Sequence, residues 1–339
     1  MAKKISMQDI ADALNISKNS VSQALSGKPG VSEATRKLVE KTAQEMGYSG
    51  KKSVVANGLA GTGTGTIGLI ASDYAFSLKS FFGEIYLSIE KEVAARGMNL
   101  LIQSVNTEAR DHLLLPSFIA EGKVDGVLIL SHISTEYSNA VIATGIPTVM
   151  IDHHHPLIQA DAIVTNNRFG AYTAVKHLIG LGHRDIAYVG NVTLSPSYQE
   201  RLEGYRLALQ EHGVPLKEDF VFSGVLEDDQ EVTALVQGLD IQPSAWFCVN
   251  DGFGFFVRSA LQQHGINVPG QASVCSFDNG MLSRLSIPKI TTMNIDLDLY
   301  GRKAVEQLMW RMQHKDEPII ELLLPSELIV RESTGKVRG

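Results

Sequence analysis

Cysteine is scarce in this chain, and long apolar runs are missing from it. Only Cys248 and Cys275 occur among 339 residues, far apart and in no Cys-x-x-Cys pair. A disulfide scaffold is therefore excluded, and we expect both thiols to be small buried apolar side chains rather than metal or redox ligands. No apolar run is long enough to span a bilayer and no signal peptide opens the sequence, which predicts a cytoplasmic protein.

Catalytic motifs are also lacking. The sequence has no compelling Ser/His/Asp or Cys/His arrangement, so an enzyme, such as a sugar-processing one, is the remote alternative. Gly63, Gly65 and Gly68 satisfy the G-x-G-x-x-G spacing, but an apolar strand follows them where the dinucleotide fingerprint needs a helix. The sequence therefore predicts no cofactor.

Three consecutive histidines, His153 to His155, follow an apolar stretch and Asp152. Neighbouring residues of an extended segment point to opposite sides, so at most two of the imidazoles could converge on one metal ion, and we predict no metal site. The run follows a predicted parallel strand, where open α/β sheets bind ligands. We interpret this segment as a hydrogen-bonding wall of a cleft, with a solvated loop as the alternative.

Positive charge is concentrated at the N-terminus of an acidic chain. Residues 1–52 hold nine Lys or Arg and five Asp or Glu, a net charge of +4, whereas the whole chain carries −7. The remainder therefore carries −11. A cationic head on an anionic body favours contact with a phosphate backbone through counterion release, with lysines that serve only solubility as the alternative.

The same head has the spacing of three short helices. Ser6, Ser17 and Ser32 are predicted to cap them, because serine hydroxyls accept hydrogen bonds from the free N–H groups of a first turn. In the second helix Val21 and Leu25 lie four residues apart and are predicted to face inward. The polar residues left on the outer side are of base-reading types: Lys18, Asn19, Ser22 and Gln23.

The runs 7–11, 16–27, 31–36 and 46–48 resemble the DNA-binding head of the LacI/GalR family of bacterial transcription regulators, and the resemblance continues to the C-terminus. It implies that the second helix enters the major groove of double-stranded DNA. The DNA-contacting residues that it implies are Ser17, Lys18, Asn19, Ser20, Ser22 and Gln23. Gln23 stands where a basic residue is common, and Gln prefers adenine over the guanine that Arg would read.

The segment after the head, residues 51–65, is predicted to be a hinge and linker. Residues 54–60 resemble the family's hinge helix, in which Leu59 would wedge into the minor groove of the operator. Gly58 weakens an isolated helix by about 1 kcal/mol relative to Ala, so we expect this helix to fold only on DNA. Gly61 to Gly65 suit a flexible tether.

From Ile67 onward, short apolar runs alternate with amphipathic stretches, the pattern of βα units around parallel sheets. The predicted strands are Ile67–Ala71, Asn99–Gln103, Gly126–Leu130, Thr148–Ile151, Asp185–Val189, Ala245–Val249 and Ser273–Phe277. The predicted helices include Phe82–Arg96, Phe169–Leu181, Gln199–His212, Gly252–His264 and Leu299–Gln313.

This α/β region is longer than one doubly wound domain of about 100–200 residues, so we expect two lobes. The resemblance implies a two-lobed core like that of a periplasmic sugar-binding protein, with parallel sheets and three chain crossings, near Val164–Asn166, Thr292–Ile295 and Leu324–Ser326. The predicted domains are a helix-turn-helix head (1–50), a first lobe (66–164 with 293–325) and a second lobe (165–292 with 326–339).

The resemblance also implies an effector site between the lobes. Arg201, in the segment 197–205, is identified with the family's cleft arginine, which could donate two N–H groups to hydroxyls or a phosphate. Asn250 and Asp278 each follow a predicted strand and are expected to contact the ligand, with Asp152 facing them. Helix capping is the alternative for Asn250, and a surface ion pair with Glu203 or a neighbour is the alternative for Arg201.

The loop after the first strand departs from the family pattern. Residues 73–82 are longer than usual and lack the expected Asn-Pro-Phe-Phe. Tyr74 and Phe76 are predicted to stack on a sugar ring, whereas Phe81 and Phe82 suit the core side of the following helix.

Together these features predict a homodimeric repressor of a carbohydrate-use operon, whose affinity for a pseudo-palindromic operator is controlled by a small sugar-like effector. A nucleobase-type corepressor or a phosphoprotein partner is the alternative on the same fold.

Overall fold

The computed structural model describes residues 6–25, 30–46, 63–73, 75, 81–131 and 133–337. They belong to two compact units, residues 1–61 and residues 62–339.

The first unit contains helices α1 (Met7–Leu14), α2 (Lys18–Leu25) and α3 (Glu33–Glu45). Ser6 caps α1 as predicted and forms a capping box, in which its hydroxyl accepts from the Asp9 N–H and the Asp9 carboxylate accepts from the Ser6 N–H. Asn15 ends α1 in the left-handed region, at φ 51°. A small apolar core joins the helices, in which Ile10, Val21 and Val39 are fully buried.

The second unit contains two sheets of six strands each. The first is parallel, in the order β11-β5-β4-β3-β1-β2, and consists of β1 (Thr66–Ser72), β2 (Asn99–Val105), β3 (Gly126–Leu130), β4 (Thr148–Ile151), β5 (Asp161–Thr165) and β11 (Glu321–Leu324). The second, in the order β12-β10-β9-β8-β6-β7, consists of β6 (Ile186–Val189), β7 (Val221–Phe222), β8 (Ala245–Cys248), β9 (Ser273–Asp278), β10 (Thr291–Ile295) and β12 (Ser326–Ile329). Among the described strands of this sheet, β10 and β12 pair antiparallel and the others pair in parallel.

Helices connect the strands and cover the sheets. They are α4 (Phe82–Ala95), α5 (Thr107–Asp111), α6 (Ser117–Ala120), α7 (Thr135–Ile142), α8 (Asn167–Gly180), α9 (Pro196–Glu211), α10 (Asp229–Gln237), α11 (Asp251–Gln263), α12 (Met281–Leu285) and α13 (Leu297–Gln313), with a 3₁₀ turn at Glu218–Phe220. Helices α4 and α13 pack together on the first sheet, α8 and α11 pack on the second, and α9 packs against α8. Each sheet with its helices forms one lobe, so the predicted two-lobed α/β architecture is confirmed.

The predicted strands are all present, with ends displaced by at most two residues. They were recognisable because central parallel strands are buried on both faces and read as continuous apolar runs, as β3 and β4 do. Five of the described strands escaped prediction. β7, β11 and β12 are short and only partly buried at sheet edges. β5 and β10 are largely buried inside their sheets, and the segments at which they end were interpreted only as chain crossings. Cys248 and Cys275 are buried, as expected, and burial raises the pKa of both thiols.

Chain crossings between the lobes follow from the sheet order. The chain passes from β5, which ends at Thr165 in the first lobe, to α8, which begins at Asn167 in the second. It passes again from β11, which ends at Leu324 in the first lobe, to β12, which begins at Ser326 in the second. The sequence analysis placed two crossings at these segments. The remaining crossing differs from the prediction, because β10 stays paired with β9 and β12 in the second sheet. The chain therefore leaves the second lobe after Ile295 rather than within Thr292–Ile295.

Candidate functional site

The carboxyl ends of strands from both lobes carry a set of polar side chains. Asp152 follows β4 of the first lobe, Asn250 precedes α11, and Asp278 ends β9 of the second lobe. Arg201 reaches the same region from α9. We call Asp152, Arg201, Asn250 and Asp278 the strand-end cluster. Arg201 and Asp278 of the second lobe lie close enough to Asp152 of the first lobe for their charges to shift its pKa.

Arg201 is held firmly within the second lobe. Its residue is 2% exposed, its Nε donates to Asn167 Oδ1 at 2.9 Å, and its Nη1 donates to the Val249 carbonyl and to Asp278 Oδ1, the latter at 3.3 Å. The guanidinium stacks on the Phe277 ring at 3.8 Å. Glu203 instead pairs with Arg168, so a surface pair of Arg201 with Glu203 is ruled out. Nη2 has no hydrogen-bond partner among the described residues, which leaves N–H donors for a ligand.

Asp278 has an unusual backbone. Its φ of 104° lies in a region that side-chain-bearing residues rarely adopt, and Asn279 follows with φ 56°. Burial raises the pKa of the Asp278 carboxyl, and the neighbouring Arg201 opposes that rise. A carboxylate at this position offers its remaining lone pairs only as hydrogen-bond acceptors.

Asn250 has two roles at once. Its Oδ1 accepts from the Phe253 N–H at 2.9 Å and caps α11, as the capping alternative predicted. Its Nδ2 donates at 2.8 Å both to the Tyr198 hydroxyl and to Glu227 Oε2. Glu227 lies so close to the first turn of α11 that a Cβ at Gly252 would stand 1.7 Å from its Oε1. Burial raises the pKa of Glu227, and the Asp278 charge adds to the rise.

Asp251 binds neighbouring elements of the second lobe and is not a member of the strand-end cluster. It is 5% exposed and accepts from the hydroxyls of Ser276, Ser283 and Thr292 at 2.5, 2.7 and 2.8 Å. The Gly280 N–H also donates to it. These bonds tie α11 to β9, α12 and β10. Both carboxylate oxygens of Asp251 therefore accept hydrogen bonds from the second lobe itself.

Asp152 faces the cluster from the first lobe. Tyr300 donates its hydroxyl to Asp152 Oδ1 at 3.4 Å. Burial raises the pKa of Asp152 to about 7, and the charges of Asp278 and Glu200 add to the rise while Arg201 opposes it. The residue also has a positive φ of 57°. Asp152 is therefore a carboxyl group that is partly protonated near neutral pH.

The histidine run links the two lobes. His154 Nε2 lies 2.5 Å from Glu200 Oε1 of the second lobe, and its Nδ1 lies 3.3 Å from Glu321 Oε1 of the first. The hydrogen bond to Glu200 raises the pKa of His154 to about 9, so both ring nitrogens donate at neutral pH. Glu200 Oε2 accepts from Asn167 Nδ2 at 3.0 Å. A continuous network thus runs from His154 through Glu200 and Asn167 to Arg201.

The other two histidines of the run, His153 and His155, have different surroundings. His153 is buried, and His155 accepts from the Leu157 N–H through Nδ1 at 3.2 Å. Within the described ranges, His, Cys, Asp and Glu form no group suited to a metal ion.

The predicted DNA-reading helix α2 has a polar outer side. Ser17 accepts from the Ser20 N–H at 2.9 Å and so caps α2 as predicted. Lys18 and Asn19 are exposed, while Gln23 is half-buried. Gly30 has a φ of 121°, and a Cβ there would stand 2.9 Å from Gln23 Oε1, so a larger residue would shift the Gln23 amide. Ser20 and Ser22 are also half-buried.

Three predicted site residues, Leu59, Tyr74 and Phe76, lie outside the described residues. Sequence reasoning missed the partners that hold the strand-end cluster. They are Asn167, Tyr198, Glu200, Glu227 and Tyr300. Asn167 could have been predicted from the sequence, because it starts the helix after a predicted crossing. Glu227 could not, because it follows no predicted strand. No helix in the described part of the chain is long and apolar enough to cross a bilayer.

Family models match both parts of the chain. The model of bacterial regulatory proteins of the lacI family matches residues 6–50, and a periplasmic binding protein-like domain matches residues 175–334. The HTH-type transcriptional repressor PurR of Vibrio campbellii (strain ATCC BAA-1116) is 31% identical over 338 residues, covering 98% of this chain and 99% of that protein. The HTH-type transcriptional regulator DegA of Bacillus subtilis (strain 168) is 30% identical over 338 residues, covering 98% of each.

Solved structures agree with the fold. A cellobiose complex of the transcriptional regulator CelR superposes with a TM-score of 0.72 at 25% identity, covering 97% of this chain and 100% of that one. The lac repressor dimer bound to operator and the anti-inducer ONPF gives a TM-score of 0.73 at 24% identity, covering 98% and 100%. The chain is a member of the lacI family of bacterial regulatory proteins, and it is a DNA-binding transcriptional regulator, not an enzyme.

Proposed function

We propose that this regulator is a homodimeric repressor whose operator affinity is set by a small polar effector bound at the strand-end cluster. The observation that carries the proposal is the convergence of Asp152 from one lobe with Arg201 and Asp278 from the other. A ligand bound there touches both lobes, so it can favour one relative position of the lobes over another. A sugar is the effector class that we favour.

The cluster is suited to hydroxyl groups. Asp152, Glu227 and Asp278 supply carboxyl oxygens, and Arg201 Nη2 supplies N–H donors, so a polyol can both donate and accept. CelR has been solved with cellobiose, and another lacI-family regulator, from Enterococcus faecium, with bound ribose, which supports a sugar. A nucleobase would satisfy the same acceptors through its ring N–H groups and is kept in the test.

In the head, we propose that α2 reads base edges through Lys18, Asn19 and Gln23, with Ser17, Ser20 and Ser22 near phosphates. Leu59 is proposed as the minor-groove wedge. The exposed side chains of Lys18 and Asn19 support this assignment. Two heads on one dimer imply a pseudo-palindromic operator, because the symmetry of the site follows that of the protein.

The proposal is tested by identifying the operator and then the effector. Binding-site selection on random duplex DNA yields the operator, and thermal-shift screening of sugars and nucleobases yields compounds that bind. The compound that binds is then titrated into the protein–operator complex. Asp278→Asn keeps the side-chain shape but removes a charged acceptor, and we expect it to weaken ligand binding 5- to 150-fold, the equivalent of about 1–3 kcal/mol.

Asp240→Asn is the matched control, because Asp240 is exposed and lies outside the strand-end cluster. It should leave both ligand and operator affinities at wild-type values. An Asp278→Asn protein that folds, binds operator and responds to wild-type ligand concentrations would remove Asp278 from the site. If the ligand has no effect on operator binding by the wild type, effector control at this cluster is refuted.

A further inference from the structure

The region around the strand-end cluster contains many more carboxylates than cations. Asp152, Glu200, Glu227 and Asp278 are joined through Arg201, Asn167 and Asn250 by hydrogen bonds or by their mutual charges. Glu321 adds a further carboxylate at His154. Among the described residues, the cations that act on these five acidic side chains are Arg201 and His154.

Both cations already form ion pairs with carboxylates of the protein. His154 lies between Glu200 and Glu321, at 2.5 and 3.3 Å. Arg201 pairs with Asp278 at 3.3 Å and gives its other hydrogen bonds to Asn167 and the Val249 carbonyl. An incoming anion would therefore find one guanidinium nitrogen, Nη2, among carboxyl groups whose ionised oxygens repel it and only accept hydrogen bonds.

The environment of these carboxylates strengthens the effect. Asp278 is close enough to raise the pKa of both Asp152 and Glu227, and all three groups are desolvated. Charges repel more strongly in such surroundings than in water, because little solvent screens them. A ligand can relieve the unfavourable burial only by donating hydrogen bonds to the acceptors or by carrying positive charge.

From this arrangement we infer that the effector site selects against anionic ligands and takes a neutral, donor-rich molecule, an unphosphorylated sugar in preference to its phosphate ester. The inference rests on the proposed function and deepens it, because it fixes the charge class of the effector. Of the two groups that Arg201 was expected to bind, hydroxyls or a phosphate, the inference favours hydroxyls.

The test uses full-length protein and a panel of matched pairs that differ by one phosphate: glucose and glucose 6-phosphate, ribose and ribose 5-phosphate, adenine and AMP, and cellobiose and its 6-phosphate. Isothermal titration gives the dissociation constant of each compound. We expect the binding members to be unphosphorylated, with each phosphate ester at least 100-fold weaker than its parent.

Charge removal supplies the second arm. Glu227→Gln and Asp152→Asn each remove one carboxylate while keeping the side-chain shape, and each should reduce the discrimination against the phosphate ester about 10-fold. Glu203→Gln, a control on α9 whose carboxylate pairs with Arg168, should leave the ratio unchanged. This control separates the local charge from the overall charge of the protein.

The possible failures are distinguishable. A phosphate ester that binds as tightly as its parent, or more tightly, overturns the inference and leaves the proposed function standing. A ratio that Glu227→Gln and Asp152→Asn do not change overturns the assignment of selectivity to these carboxylates. Binding of no compound in either form removes the small-molecule site, and the inference with it.

Discussion

The ion pair between His154 and Glu200 gives the most quantitative prediction. It crosses from the first lobe to the second at 2.5 Å, and its side chains are 27% and 20% exposed. The pKa of His154 rises from 6.5 to about 9 in the folded protein. A rise of that size corresponds to about 3 kcal/mol at most. Partial exposure lowers the expected contribution to about 1–2 kcal/mol.

The sign of the pH dependence follows from the two pKa shifts. His154 has a raised pKa, so its stabilisation is complete below pH 6.5 and is lost as the pH rises through about 9. The pKa of Glu200 is lowered by the hydrogen bonds from His154 and Asn167, against the opposing effect of burial. Its contribution is therefore present above about pH 4.5, its ordinary value, and is lost as the pH falls. The pair therefore stabilises the protein most between about pH 4.5 and about pH 6.5.

The perturbation is His154→Gln, with His155→Gln as the matched control, because His155 has no carboxylate partner among the described residues and only accepts from the Leu157 N–H. Urea unfolding at a series of pH values measures the free energy of unfolding. We expect His154→Gln to lose about 1–2 kcal/mol near pH 6, with the difference from wild type vanishing near pH 10. A difference that does not change with pH, or an equal loss in His155→Gln, would refute this reasoning.

Further predictions concern the DNA contacts and the first lobe. Gln23→Ala should relax base preference at one position of each half-site in binding-site selection, whereas Lys37→Ala should weaken binding to all sequences alike and lower the salt slope by about one. Leu59→Ala should reduce operator binding far more than binding to random DNA at matched salt. Equal losses on both DNAs would show that Leu59 is not a minor-groove wedge. Asp161→Ala should cost about 3–5 kcal/mol in urea unfolding, because it leaves the buried Arg311, now bonded to it at 2.6 and 2.8 Å, without its counter-charge.

The fold was largely predictable from sequence, because it rests on short-range patterns. Capping residues such as Ser6 and the buried runs of β3 and β4 give local signals that the packed protein keeps. The edge strand β11 gives no such signal, because its side chains alternate in exposure over only four residues. Strand β10 was interpreted as a crossing because nothing local shows which sheet it joins.

Members of the strand-end cluster were named from the sequence, but the contacts between them were not. Arg201 and Asp278 were identified, but the sequence does not show that Asn167 and the Val249 carbonyl occupy the guanidinium. Glu227 accepts a hydrogen bond from Asn250, but it lies in a loop where the sequence shows no helical or strand periodicity. Such contacts join residues far apart in sequence, so only the folded chain brings them together. His154 illustrates this most clearly, because its two carboxylate partners come from different lobes.

The most direct test of effector control is a reciprocity measurement. The operator dissociation constant is determined with and without saturating effector, and the effector dissociation constant is determined with and without saturating operator. If the strand-end cluster controls DNA binding, the two ratios are equal, because coupling between two binding sites is thermodynamically reciprocal. Asp278→Asn should preserve the operator affinity of the free protein and require higher effector concentrations to change it. An effector that binds the cluster with no change in operator affinity would contradict the account.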